Sequence, residues 1–355
     1  MAKKNYIKEI INISWLSRWA GSYAFISCSC YGPQYYQSLG DILGISLSHV
    51  LFIHHQGTVR FFVSSDEFNR FGLELAKRAI NNIDYVKEIC QELKKNTDII
   101  LPLMKRMQQI IPTISEYQAF LIYFDRHLAY HNFVKKTPDF LAESALKKLL
   151  LYFQDARHYS ETVYSESEMF FRGIAKLISI EVGYSDKLLA CLTQAEFLFF
   201  LKNHQLPNQD ILAARYQDSV LYFEDGKEII VSGPEAQELV CAIDEQFQST
   251  KEYLKGVSAY PGKVEAMVRI ILDPHKKQTF NQGDILVTGM TRPEFMPYIK
   301  KASAIITDVG GILCHAAITA REFKIPCIVG TVTATKVLKN GKKIKLDATT
   351  GIVDA

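Results

Sequence analysis

The segment that decides the fold of the C-terminal part reads Thr307-Asp308-Val309-Gly310-Gly311-Ile312-Leu313-Cys314-His315-Ala316-Ala317-Ile318-Thr319-Ala320-Arg321-Glu322. The preceding stretch, residues 304–307, is apolar and β-branched, which predicts a buried strand. The alanine-rich run after the glycine pair favours a helix, and Phe323-Lys324-Ile325-Pro326 closes it. The order of strand, Gly-Gly loop and helix therefore places His315 where the loop becomes the helix.

This position of His315 has a chemical consequence. The first N–H groups of a helix lack partners inside the helix and carry partial positive charge, so they can hold a phosphate group. Gly310 and Gly311 allow the backbone to approach that group closely. An imidazole at this point can act as a nucleophile and become phosphohistidine. A histidine that caps a helix or packs in a core gives the same pattern, and the residues alone leave that alternative open.

The segments around His315 resemble the mobile, or swivelling, phosphohistidine domain of the PEP-utilising enzyme family. That family includes phosphoenolpyruvate synthase, pyruvate phosphate dikinase and rifampicin phosphotransferase. The similar segments follow one another in order within residues 255–355; they are residues 255–262, 283–288, 293–295, 307–322 and 325–331. The resemblance of the N-terminal part is weak. The resemblance implies a β/β/α swivelling fold with His315 as the residue that carries the phosphoryl group.

The resemblance also implies a loop that binds the phosphoryl group, and two departures from the family pattern lie within or beside it. The expected loop residues are Gly310, Gly311, Cys314, Ala316 and Arg321. Arg321 is favoured over Arg292, Lys300 and Lys301 because it shares a helix with His315, and isolated surface charges contribute little. Leu313 stands where synthases and dikinases usually carry threonine, and Val309 where a charge is frequent. These departures weaken any claim of regulation through that threonine and leave His315 unaffected.

Composition limits the classes of function. At 355 residues and 48% hydrophobic content, the chain can bury large cores and is expected to form two domains. A net charge of +3 gives no electrostatic case for binding nucleic acid or a membrane. Seven scattered cysteines show no zinc pattern and fit a reducing compartment. No signal-peptide core or membrane-length apolar span is evident, so we expect a cytoplasmic protein.

The predicted class is α+β. A mainly helical domain with two β-hairpins is expected at residues 1–246, a linker at 247–256 and the phosphohistidine domain at 257–355. The hairpin turns are Gln56-Gly57 and Glu224-Asp225-Gly226, each flanked by β-branched and aromatic runs.

Three local patterns give further predictions. Trp15, Trp19 and Ser22 have helical spacing, which favours a helix with one buried face. Thr291 and Glu294 form a capping-box pattern around Pro293. His127 and His131 lie four apart on a predicted helix and could bind a metal, but without a third ligand they are expected to be a surface pair, and no metal site is predicted.

The first 250 residues contain no Walker loop or kinase glycine loop, and we expect no ATP-grasp domain or phosphoenolpyruvate-binding barrel there. The chain is therefore expected to be one component of a phosphotransferase. It would accept a phosphoryl group at His315 from ATP or phosphoenolpyruvate, with Mg²⁺, on a separate ATP-grasp or PEP-binding subunit. A small-molecule acceptor would bind the aromatic-rich helical domain.

Two other classes of function remain open at this point. The chain could be a non-catalytic binding or regulatory protein that keeps the swivelling domain as a scaffold, or a helical scaffold that uses this domain to dock a protein. Intact Gly310, Gly311 and His315 argue against both, and the missing donor domain argues for them. Phosphorylation would be lost in His315→Ala only under the phosphotransferase hypothesis.

Overall fold

The structure, a computed structural model, describes residues 2–247, 253–274 and 278–354, with all side chains except those of residues 2–5 and 253. Residue contacts divide the chain into two compact units, residues 1–16 with 21–243 and residues 17–20 with 244–355. Residues 248–252 of the predicted linker lie outside the described residues. Tyr253–Lys255, at the end of the predicted linker, form a strand.

The N-terminal part is mainly helical. Its elements are α1 (Ala2–Asn12), β1 (Trp15–Ser22), α2 (Phe25–Tyr31), α3 (Gln37–Leu43), β2 (His49–His55), β3 (Thr58–Ser64), α4 (Ser65–Asn81), α5 (Ile83–Met107), α6 (Ile114–Lys136), α7 (Glu143–Ser160), α8 (Thr162–Val182), α9 (Asp186–Leu189), α10 (Gln194–Asn203), α11 (Gln209–Gln217), β4 (Ser219–Glu224), β5 (Lys227–Ser232) and α12 (Pro234–Glu245).

Both predicted hairpins are present, and they belong to one sheet. The strand order is β1-β3-β2-β4-β5, and β2 pairs antiparallel with both β3 and β4. Aromatic side chains fill the sheet face, where the rings of Phe52 and Phe61 stack with centroids 4.6 Å apart. The hairpins therefore join through their inner strands, a pairing that local turn signals do not reveal.

The predicted helix through Trp15, Trp19 and Ser22 is wrong, because these residues lie in strand β1. A spacing of four is even, so it fits the two-residue period of a strand as well as one turn of a helix. The indole Nε1 of Trp15 donates to the carbonyl of Ile10 at 2.8 Å, which satisfies the polar atom of a buried side chain.

The long helices are interrupted near residues 112, 137 and 183, and capping chemistry accounts for several helix ends. Thr113 and Thr193 each begin a helix with a complete capping box, which satisfies N–H groups that lack helical partners. The stretch after β3 forms two helices, α4 and α5, and the side chain of Asn82 caps the second by accepting from Tyr85 N–H. Ser65 begins α4 and is not its cap.

The C-terminal elements form an eight-stranded sheet with short helices. They are β6 (Tyr253–Lys255), β7 (Val257–Tyr260), β8 (Lys263–Ile270), β9 (Ile285–Thr288), α13 (Met296–Ile299), β10 (Ala304–Thr307), α14 (His315–Phe323), β11 (Cys327–Val329), α15 (Ala334–Val337), β12 (Lys343–Asp347) and β13 (Ile352–Asp354). The strand order is β6-β13-β12-β8-β9-β10-β11-β7, and β8 to β11 run parallel. The α+β class is confirmed.

Strands β9 and β10 are buried on both faces, as parallel central strands require. Ile285, Val287 and Ile306 belong to one apolar core, and Leu286 and Ile305 to the other. The second core includes three alanines of α14, Ala316, Ala317 and Ala320. Small side chains let this helix lie close to the sheet, so the core itself fixes the position of its first residue. Of the helices in the described ranges, none has the length and hydropathy needed to cross a membrane.

Two glycines in helix interiors give a matched test of packing. A Cβ on Gly72 of α4 would lie 2.1 Å from the ring of Phe140, whereas the nearest atom to a Cβ on Gly173 of α8 is 3.7 Å away. Both Gly→Ala changes gain helix propensity, but only the first meets a clash. We expect Gly72→Ala to lower the free energy of unfolding by about 1–3 kcal/mol and Gly173→Ala to raise it by up to about 1 kcal/mol. Urea denaturation measures both, and equal effects would contradict the packing at Gly72.

Candidate functional site

The candidate site lies at the carboxyl ends of three neighbouring parallel strands, the edge of an open α/β sheet where ligands commonly bind. Strands β9 and β10 end level with each other, since Thr288 pairs with Thr307. Beyond the strands, backbone hydrogen bonds continue to join the loops. Asp308 N–H donates to Thr288 at 3.1 Å, and Thr331 N–H donates to Thr307 at 3.0 Å. The loops after β9, β10 and β11 therefore form one connected platform.

A half-buried carboxylate reinforces this platform. Asp308 accepts from the backbone N–H of Thr335 at 3.0 Å, from the Thr335 hydroxyl, and from the Thr331 hydroxyl at 3.4 Å. Burial raises the pKa of the Asp308 carboxyl, and these donors act in the opposite direction. Sequence reasoning missed this network, although an aspartate directly after a buried strand was a usable signal.

His315 is the first residue of α14, as predicted. Cys314 has extended backbone angles and is the N-cap, and its sulfur accepts from Ala317 N–H at 3.4 Å. Sulfur is a weak acceptor. In the described structure, the N–H of Ala316 in the same turn has no acceptor. The partial positive charge of the helix therefore lies next to the imidazole.

The ring of His315 is held by Thr291. The Thr291 hydroxyl lies 3.0 Å from Nδ1 of His315, and Thr291 is buried. The predicted capping box is wrong, because the turn at Pro293–Phe295 has Arg292 at its N-cap and no side-chain capping bond. The Thr291 hydroxyl therefore contacts His315 and does not cap a helix. The capping-box pattern offered Thr291 a local partner, Glu294, and so concealed its actual partner 24 residues away.

Gly310 shapes the loop before the histidine. Its φ of 133° lies in a region that residues with a side chain rarely adopt, and a Cβ there would lie 2.8 Å from the Cys314 sulfur. Gly311 shows no such requirement, since its φ is not positive. The glycine pair thus has one member that the fold requires and one that is required only if a ligand approaches the backbone.

Arg321 holds the loop that contains the two glycines. One terminal nitrogen, Nη2, donates to the carbonyl of Ile312, while Nη1 is buried and has no partner among the described residues. Burial lowers the pKa of the guanidinium, but its ordinary value is so high that the group stays charged. Lys300 and Lys301 are exposed, and Arg292 is half-buried. Arg321 is therefore the cation that the structure ties to the histidine loop.

The His127–His131 pair lies elsewhere, in α6, and the prediction of a surface pair is wrong. Both side chains are buried, and their rings stack with centroids 5.8 Å apart. Burial lowers the pKa of His127 to about 3 and that of His131 well below its usual value. Within the described ranges, no group of three or more His, Cys, Asp or Glu side chains could hold a metal ion.

Comparison with known sequences identifies the C-terminal part. Residues 280–351 match the PEP-utilising enzyme mobile domain. The predicted resemblance is confirmed, and the match contains all of Thr291, Gly310, Cys314, His315 and Arg321. The site described above thus lies within the segment that matches the PEP-utilising enzyme mobile domain.

Curated relatives extend the similarity beyond that domain. A probable phosphoenolpyruvate synthase of Methanothermobacter thermautotrophicus is 42% identical over 200 residues, which cover 54% of this chain and 28% of the relative. The phosphoenolpyruvate synthase of Pyrococcus furiosus is 42% identical over 37% of this chain and 16% of its own length. An uncharacterized phosphotransferase of Bacillus subtilis is 43% identical over 33% of this chain and 14% of its own length. The chain thus matches less than a third of each relative.

Solved structures give weaker similarity. Aconitase X of Thermococcus kodakaraensis is 24% identical with a TM-score of 0.24, covering 29% of this chain and 98% of that one. An Enzyme I protein solved by NMR is 12% identical with a TM-score of 0.21, covering 77% of this chain and 79% of that one. Scores this low carry no argument about the site.

Gly310→Ala tests the loop geometry. We expect it to lower the free energy of unfolding of the mobile domain by about 2–4 kcal/mol, because the added Cβ combines backbone strain with a clash against Cys314. Gly289→Ala, in the loop after β9, is the control, since no atom lies within 4 Å of a Cβ there and its φ is not positive. Hydrogen exchange of the β10 and α14 amides would report the loss, and equal exchange in both variants would contradict the geometry at Gly310.

Proposed function

We propose that this chain is a phosphotransferase component whose mobile domain carries a phosphoryl group on His315. The observation that carries the proposal is the contact of Thr291 with Nδ1 of a histidine at the first residue of a helix. A ring that only capped the helix would bond the N–H groups of its own helix, whereas this one bonds a side chain from another loop. The match to the PEP-utilising mobile domain and the phosphoenolpyruvate synthase relatives support the same reaction class.

The contact assigns different roles to the two ring nitrogens. A hydroxyl can accept from a protonated Nδ1, and the lone pair of the neutral ring is then on Nε2. Because Nδ1 is engaged by Thr291, Nε2 is the atom that attacks phosphorus. Thr291 is thus a positioning residue that occupies Nδ1 and fixes the plane of the ring.

The transfer is a displacement at phosphorus in two steps. The Nε2 lone pair of His315 forms the P–N bond while the P–O bond of the donor breaks, and the leaving group keeps that electron pair. The proton on Nδ1 remains with the hydrogen bond to Thr291. An oxygen of the acceptor then forms a P–O bond, and the P–N electron pair returns to Nε2.

Two features of the site would steady the phosphoryl oxygens. The helix N-terminus offers the N–H of Ala316, and the loop of Gly310 and Gly311 leaves the approach open. Arg321 contributes a full charge near the loop, with its Nη1 still free to donate. Cys314 contributes packing and a weak cap, and needs no direct phosphate contact.

The donor and the acceptor are proposed from the reaction class. ATP or phosphoenolpyruvate would supply the phosphoryl group on a separate ATP-grasp or PEP-binding subunit, and a small molecule would receive it. Mg²⁺ belongs to that donor site, because the described residues offer no carboxylate cluster that could hold the ion. Seven cysteines without disulfides fit a reducing compartment such as the cytoplasm.

Phosphoramidate, a small phosphoryl donor, tests the carrier role without any partner subunit. We expect intact-mass and peptide analysis to show an acid-labile adduct on His315 before any of the other eight histidines react, given nine in the chain. Thr291→Val should slow the reaction by roughly ten- to a hundred-fold, because the ring loses its fixed orientation. Thr349→Val, an exposed threonine in the same domain, should react at the wild-type rate.

Two outcomes of the phosphoramidate experiment would contradict the proposal. Equal modification of all exposed histidines, or an unchanged adduct in His315→Ala, would contradict the carrier role and favour a binding or scaffold protein. If the adduct forms, incubation with Mg·ATP or with phosphoenolpyruvate in extract of the source cells then distinguishes the two donors.

A further inference from the structure

The first compact unit contains a cavity of about 160 Å³, and all of its lining residues belong to that unit. The walls come from the end of β1, the β2–β3 turn, α8, the α9 region and α11. This volume is below that of a drug-sized pocket and suits a small molecule of a few non-hydrogen atoms.

Backbone hydrogen bonds hold the walls in place. Tyr23 N–H donates to Gly57 at 3.2 Å, Ile26 N–H to Ala190 at 3.1 Å, and Gln56 N–H to Tyr216 at 2.8 Å. Each bond joins two different elements that line the cavity or lie beside it. The cavity is therefore preformed, and a ligand would not have to order it.

Two cations line this cavity, and within the described ranges only the side chain of Arg172 forms an ion pair. Arg172 lies 4.0 Å from Glu168 and donates to the Ser22 hydroxyl at 3.2 Å. The Glu168 carboxylate already accepts from Ala24 N–H at 2.9 Å and from the Ser27 hydroxyl at 2.6 Å. No carboxylate within the described ranges forms an ion pair with Lys187. The cavity thus has two cationic side chains whose donors can bind an anion.

His54 gives the cavity a hydrogen-bond acceptor. Its Nδ1 lies 3.2 Å from the carbonyl oxygen of Arg215, which can only accept, so Nδ1 carries the proton. Burial lowers the pKa of His54 to about 4, aided by the charge of Arg172, so the ring is neutral at pH 7. Nε2 is then an acceptor, and no side chain or backbone group of the described structure bonds it.

We propose that this cavity binds a small organic anion that also carries a hydroxyl group, such as a hydroxy carboxylate. Arg172 and Lys187 bind the anionic group, and Nε2 of His54 accepts from the hydroxyl. Tyr23, Ala190 and Tyr216 contact the carbon atoms. The site is independent of phosphoryl transfer at His315, and either proposal can fail without the other.

A set of three simple compounds separates the two recognition elements. Lactate has an anion and a hydroxyl, acetate has only the anion, and glycerol has only hydroxyls. Titrations of the full chain by ligand-observed NMR should give lactate a dissociation constant on the order of 1 mM. Acetate should bind about ten-fold more weakly, and glycerol should show no binding at ~20 mM.

Charge-removing variants locate the binding. Arg172→Gln and Lys187→Gln should each weaken lactate binding by about ten-fold, the usual effect of losing a charged hydrogen bond. Both side chains are exposed enough for the fold to tolerate the change. Lys176→Gln, one turn further along α8 and outside the cavity, is the matched control and should bind lactate as the wild type does.

Several results would overturn the proposal. Absence of lactate binding at ~20 mM would refute the site as a whole. An equal loss in Lys176→Gln would show non-specific attraction to the positive surface. Equal binding of lactate and acetate would refute the role of His54 as acceptor for a hydroxyl.

Discussion

A threonine hydroxyl lies 3.0 Å from one ring nitrogen of His315, and much of the surrounding structure keeps these two side chains in place. The loop after β9 presents Thr291, while the loop after β10 leads into α14 and presents His315. Hydrogen bonds beyond the strand ends join these two loops, and the half-buried Asp308 carboxylate ties the second loop to the segment after β11. A flexible histidine would sample many ring orientations, whereas the contact at Nδ1 holds this ring in one.

The same arrangement explains why α14 is rich in alanine. Ala316, Ala317 and Ala320 are buried against the sheet, and larger side chains at these positions would push the helix away from it. Such a displacement would separate His315 from Thr291, because the two residues are fixed to different strands. Packing in the core therefore controls chemistry at the surface, without any of the three alanines touching a reactant.

Sequence reasoning found the elements whose signals are local. The strand, the glycine loop and the helix start at His315 follow from composition over about sixteen residues, and both hairpins follow from their turns. Sequence reasoning failed where one sequence pattern was compatible with two different structures. Trp15 and Trp19 fit a strand and a helix equally well, and Thr291 fitted a capping box. The burial of His127 and His131 depended on neighbouring helices, which spacing along one helix cannot show.

The central claim is that Thr291 leaves Nε2 of His315 as the phosphoryl-carrying atom. NMR of the ¹⁵N-histidine-labelled, phosphorylated chain tests it most directly, since ³¹P–¹⁵N coupling identifies the bonded nitrogen. We predict a single phosphohistidine, at residue 315, with phosphorus bonded to Nε2 and with Nδ1 still protonated. Phosphorus on Nδ1, or a phosphohistidine at any other position, would contradict the account.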